Sequence, residues 1–117
     1  MQLRISGRTV DGVRVISCVG RIVFGEESSL LREEVKKVIP ENKQIVLNLG
    51  EVSYIDSGGL GTLVALHTSA NLAGSTIKLA SLTKRVGDVL QVTKLLTVFD
   101  VHENEADAIK SFKGAAA

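Results

Sequence analysis

A chain of 117 residues holds one domain and leaves little room for two, and at 44% hydrophobic and 23% charged it can bury a core without metal or disulfide staples. Fourteen basic against thirteen acidic residues leave a net charge of +1, so there is no electrostatic reason to expect nucleic acid or an anionic membrane as partner. The single cysteine, Cys18, excludes an internal disulfide and suits a reducing compartment. No apolar run approaches the ~20 residues of a spanning helix and no charged-then-apolar leader opens the chain, so the expectation is a cytoplasmic protein with no membrane insertion.

Leu3 to Val10 and Val13 to Val19 read as strands joined through Asp11-Gly12, a strong hairpin signal. Gly20 to Gly25 reads as a loop. Glu26 to Ile39 has helical spacing, with Leu31, Val35 and Val38 on one face and Arg32, Glu33, Lys36 and Lys37 on the other, and Pro40 ends it. Gln44 to Leu49 is nearly all apolar, as in a strand covered on both faces, and a turn is expected before Tyr54-Ile55.

From Leu60 to Leu72 the period is helical again, with Leu60, Leu63, Leu66, Ala70 and Ala73 in a stripe and Gly74 as the C-terminal cap. Thr76 to Ala80 is a strand, Thr83 to Gln91 a short helix with Val86, Val89 and Leu90 inward, and Val98 to Val101 a last strand. Asn104 can cap a final helix carrying Ala108, Ile109 and Phe112 inward. The expected domain spans residues 1–113, with 114–117 a frayed tail. The fold class is therefore α/β: an N-terminal antiparallel hairpin, then alternating helices and mainly parallel strands, about five strands and four helices.

Parallel strands send their strand-to-helix loops to one edge, where binding sites gather. Four segments are expected there: Gly20–Gly25, Tyr54–Gly59, Ser81–Lys84 and His102–Asn104. The second is the most unusual, with Gly58, Gly59 and Gly61 close together after Asp56-Ser57. Glycine in a helix costs roughly 0.5–1 kcal/mol relative to alanine, so such a cluster points to close backbone approach. Ser57 is a natural N-cap, and from these residues alone a purely structural role, a capping serine and packing glycines, is favoured over a functional one.

Catalytic alternatives fail on residue identity. A phosphate-cradling loop needs Lys and Ser or Thr after its glycines, whereas Thr62-Leu63 follow Gly61. A dinucleotide fingerprint lacks its third glycine at Val64, and a nucleophile elbow would need glycine where Ile55 stands. His67 and His102 are isolated and make neither a triad nor, with Cys18, a metal cluster, so no catalytic residue, metal or cofactor is expected. A small serine hydrolase using Ser57 lacks a visible base or oxyanion hole. Cys18 reads as a small apolar core residue and His102 as a solvated loop residue.

Ile45-Val46-Leu47-Asn48-Leu49 followed by Tyr54-Ile55-Asp56-Ser57-Gly58-Gly59-Leu60-Gly61 resembles the signature of the STAS family, named for sulfate transporters and anti-sigma factor antagonists. Gly20-Arg21-Ile22, Thr83-Lys84-Arg85-Val86 and the Leu95-Leu96 to Phe99 region fit as well. The strand-loop-helix segment is most similar to the stand-alone anti-sigma factor antagonists. That resemblance implies a non-enzymatic switch. In those relatives the serine after the aspartate, which matches Ser57 here, is phosphorylated by a partner that is both anti-sigma factor and serine kinase. The unmodified protein binds that partner and frees a sigma factor, and a metal-dependent serine phosphatase reverses the modification.

The implied footprint comprises Asp56, Ser57, Gly58, Gly59, Leu60, Gly61, outward residues of the following helix such as Thr62, and Ser81, Thr83, Lys84 and Arg85. Two positions depart from the family: Gly58 replaces a second serine, and Val23 replaces an acidic residue of the first loop. The alternative within the family is an accessory subunit of a membrane transport assembly, acting by protein–protein interaction without phosphorylation.

Overall fold

Strand alternation decides which residues face each side of the sheet. The computed structural model describes the backbone of residues 3–116 and the side chains of residues 3–112. Its elements are β1 (Leu3–Val10), β2 (Val13–Ile22), α1 (Glu26–Val38), β3 (Gln44–Ile55), α2 (Ser57–Leu72), β4 (Thr76–Ala80), α3 (Lys84–Val92), β5 (Asp100–His102) and α4 (Glu105–Ala116), with 3-10 turns at Ile39–Glu41 and Leu95–Thr97. The five strands form one sheet in sequential order, β1 antiparallel to β2 and the rest parallel.

Sequential parallel order with right-handed crossovers puts the connecting helices α1, α2 and α3 on one face. There Ile45, Leu47 and Leu49 of β3 meet Leu31 and Val35 of α1, Leu63 and Leu66 of α2, and Val86 and Leu90 of α3 in one buried cluster. The opposite face carries Val13, Val15, Val46 and Ala80, covered by Ala108, Ile109 and Phe112 of α4. Val46 is fully buried between Ile45 and Leu47, as a strand covered on both sides requires. Cys18 lies in the larger cluster, and burial pushes its thiol up to about 12. Asn104 caps α4 by accepting from the Asp107 N–H at 2.8 Å. Of the expected tail, 114–116 continue α4, and Ala117 lies outside the described residues.

The expected turn after Leu49 does not occur. β3 runs on through Gly50-Glu51 to Ile55, still paired with β2, and absorbs these residues in register shifts between Ser17 and Val19 and between Gly20 and Arg21. Bulges bend a strand without ending it, and their polar, exposed residues imitate turn signals. β2 likewise extends to Ile22, three residues into the expected loop. Val98 caps the 3-10 turn at Leu95–Thr97 and Phe99 is a bend, so the last strand, expected from Val98, begins as β5 at Asp100 and includes His102. Ala73 is exposed, closing α2 rather than packing inward.

The strand ends are therefore stepped. β4 and β5 stop level with Asn48, through the pairs Asn48↔Ala80 and Ala80↔His102, whereas β3 continues to Ile55. At ~3.3 Å per residue that step is roughly 20 Å. Ile22 pairs with Ile55, so the ends of β2 and β3 form the upper edge by themselves.

Candidate functional site

α2 starts on that upper edge, and its first turn docks on the end of β2. Asp56, in extended backbone, is the N-cap, and Ser57 is the first helical residue. This corrects the expectation that Ser57 caps. Asp and Ser are both good caps, and the strand's last hydrogen bond, Asp56 N–H to the Ile22 carbonyl at 3.3 Å, leaves the aspartate in the capping position. Asp56 Oδ1 accepts from the Gly59 N–H at 2.8 Å, and both carboxylate oxygens accept from the Phe24 N–H at 3.1 Å. One side chain thus ties the β2–α1 loop to the β3–α2 junction.

Freed from capping, Ser57 is exposed, and its hydroxyl has no hydrogen-bond partner among the described residues. The glycines divide into two kinds. A Cβ on Gly59 would lie 2.0 Å from the Ile22 carbonyl oxygen, and one on Gly58 would lie 2.6 Å from Phe24 Cβ. Both are demanded by close approach. Gly61 is different: a Cβ there meets nothing within 4 Å.

Ser57, Gly58, Gly61 and Thr62 form one wall of a groove of about 280 Å³, with Phe24, Gly25, Ser28, Ser29 and Arg32 opposite. Thr62, expected to face outward, is 2% exposed and donates its hydroxyl to the Gly58 carbonyl at 3.1 Å, so it forms the floor of the groove. A buried hydroxyl needs an acceptor, and the carbonyl one turn back supplies it. Gly59 and Leu60 are buried as well, so the exposed part of the expected footprint on α2 narrows to Ser57 and Gly61, with Asp56 and Gly58 half-buried.

The Ser81–Arg85 segment divides. Ser81, at φ 62°, lines a separate groove with Asn48, Gly50 and Glu105, down the step of the sheet. Thr83 caps α3, accepting from the Val86 N–H and donating to the Val52 carbonyl, both at 3.2 Å, so its hydroxyl is fully committed. Lys84 is exposed and paired with Asp88. Arg85 does join the Asp56 edge: its guanidinium lies 5.7 Å from the Tyr54 ring centroid, and Arg21 lies 5.8 Å from it. His102 stands in β5, 3.0 Å from Asp100, and not in a loop.

Phe24 was missed in the sequence. It is 80% exposed on the rim of the groove, while Phe99 and Phe112 are each 6% exposed. The available signal was its position in a glycine-bounded segment of a chain with three phenylalanines, where the other two sit in apolar patterns. Arg32, on the water-facing side of its helix, lines the same groove.

The backbone N–H of Gly59 holds the Asp56 carboxyl below its ordinary value, helped by Phe24 and opposed by partial desolvation. A carboxylate whose folded-state pKa is lowered contributes stability that is complete above the unfolded value of about 3.9 and is lost as the pH falls through the folded one. Replacing this cap by Asp56→Ala is expected to cost about 1–2 kcal/mol in denaturant unfolding at pH 7. That difference should shrink as the pH drops below about 4. A gap that persists unchanged to pH 2 would mean that the charge on Asp56 contributes nothing.

A family model described as the STAS domain matches residues 4–108. Among curated proteins, the anti-sigma F factor antagonist of Paenibacillus polymyxa is 23% identical over 111 residues, covering 93% of this chain and 94% of its own. A crystal structure of an anti-sigma factor antagonist from Mycobacterium paratuberculosis superposes with a TM-score of 0.82 at 20% identity, covering 93% of this chain and 92% of that one. SpoIIAA, an anti-sigma factor antagonist, superposes in its unphosphorylated form with a TM-score of 0.77 at 19% identity, over 95% of this chain and 97% of that one. The phosphorylated form of Bacillus SpoIIAA gives 0.71 at 18% identity, over 93% and 99%. These structural likenesses establish the fold.

Proposed function

The chain belongs to the STAS domain family, and on that premise we propose that it is an anti-sigma factor antagonist switched by phosphorylation of Ser57. In the unmodified state it binds an anti-sigma factor with serine kinase activity and releases a sigma factor. The kinase transfers the γ-phosphoryl group of ATP: the Ser57 Oγ–P bond forms, the bond to ADP breaks, and the hydroxyl proton passes to a base on the kinase. A metal-dependent serine phosphatase restores the hydroxyl. The protein itself performs no catalysis, and it acts in the cytoplasm, where the kinase finds ATP.

The observation that carries this reading is the exposed Ser57 hydroxyl at the first position of α2, in a groove rimmed by an exposed Phe24. A substrate serine must be reachable, and a docking surface needs an apolar anchor beside it. A phosphate here meets the positive end of a helix dipole, so modification leaves the fold intact while changing the surface by about −1.5 to −2 charges. The names of curated relatives matched over nearly their whole length favour this reading over a transport-assembly subunit. Among the described residues no helix is long and apolar enough to cross a membrane.

Incubation with a cognate anti-sigma factor kinase and ATP, followed by intact-mass analysis, tests it. One phosphate is expected on the wild-type chain and none on Ser57→Ala. Phosphate retained by Ser57→Ala, or wild type left unmodified by a kinase active on its other substrates, would refute it.

A further inference from the structure

We infer that Arg32 is the internal hydrogen-bond donor to a phosphoryl group on Ser57, so that the modified protein holds its own phosphate across the groove between α1 and α2. This rests on the reading of Ser57 as the modified residue. Both side chains line the same groove of about 280 Å³ from opposite walls.

Arg32 is exposed, and among the described residues its guanidinium has no acidic partner. Three other arginines are engaged elsewhere: Arg8 pairs with Glu105, and Arg21 and Arg85 lie over Tyr54. Lys37, Lys78 and Lys84 are each paired with an acid. Among the residues that line this groove the cation is Arg32.

The groove is also shaped for the contact. Ser29 and Ser28 lie three and four residues before Arg32, the spacing that brings each beside it along one flank of a helix. Ser28 spends its hydroxyl on the Val23 carbonyl at 2.7 Å. The facing wall carries Gly58 and Gly61, and there is open space where a Gly61 side chain would begin, so no side chain at that position fills the groove. Asp56 would repel a neighbouring phosphate, but its oxygens are turned to the N–H groups of Gly59 and Phe24. Guanidinium and phosphate match as a bidentate, charge-assisted pair, the geometry lysine cannot reproduce.

Phosphoserine incorporated at position 57 during translation tests this without any kinase. The second phosphate pKa, near 6 in a free phosphoserine, is read by phosphorus NMR during a pH titration. Arg32→Gln is expected to raise it by about half a unit relative to the wild-type background, with Arg32→Lys between the two. Titration curves that coincide for wild type and Arg32→Gln overturn the inference. The partner reading is tested separately, since it turns on whether the kinase modifies Ser57 at all.

Discussion

Ser57→Asp should weaken binding to the anti-sigma factor by about two orders of magnitude or more while leaving the fold as stable as the wild type. The substitution puts a carboxylate at the first position of α2, where the helix dipole favours an acid by roughly 0.3–1 kcal/mol. A partner that covers the groove must desolvate that charge without offering a counter-charge of its own, which costs roughly 2–5 kcal/mol. At 1.4 kcal/mol per decade, the middle of that range is about a hundredfold or more in affinity. The neighbouring Asp56 reinforces the effect, because the Gly59 and Phe24 N–H groups keep it ionised. Titration calorimetry with the anti-sigma factor, beside a thermal melt of each protein, separates binding from folding. Wild-type affinity in Ser57→Asp would end the switch reading. Unfolding of Ser57→Asp would instead contradict the exposed, uncapping position of the serine.

Gly59→Ala is expected to destabilise the domain by about 3 kcal/mol, the upper end of what overpacking costs. The added Cβ would lie 2.0 Å from the Ile22 carbonyl oxygen and 2.8 Å from its carbon. These are backbone atoms, and no rotamer change relieves them. The carbonyl is also the acceptor of the Asp56 N–H, so moving it loosens the junction of β2, β3 and α2. Gly61→Ala, two residues on, should do the opposite and stabilise by about 0.5–1 kcal/mol, since the helix gains propensity and the new methyl meets nothing. Denaturant unfolding of the two variants reads both signs. Equal effects from the two would contradict the close docking of α2 on β2. A Gly61→Ala protein that is more stable yet binds the anti-sigma factor less well would assign the bare helix surface at Gly61 to docking.

Local chemistry was legible wherever it had no competitor. Asp11-Gly12 placed β1 residue for residue, because a two-residue turn determines the register of both strands. β4 was equally clear, bounded by Gly74 and by the polar start of the next segment. Where two local signals competed, packing decided. Gly50-Glu51 carried turn chemistry, but pairing with β2 outweighed it and β3 continued through bulges. Asp56 and Ser57 were both competent caps, and the final ladder hydrogen bond to Ile22 chose the aspartate. Thr62 was expected to face outward from α2, and its place at the floor of the groove, bonded to the Gly58 carbonyl, buries it.

By itself the sequence determined the α/β class, the hairpin, the order of helices and strands, and the family signature centred on Asp56-Ser57, since each rests on residues near one another along the chain. Only the tertiary structure decided that Ser57 stands free in a groove with Phe24 and Arg32. Those residues lie 33 and 25 positions before it. They reach it because β2 and β3 end together, at Ile22 and Ile55, and no pattern within a single segment encodes that register.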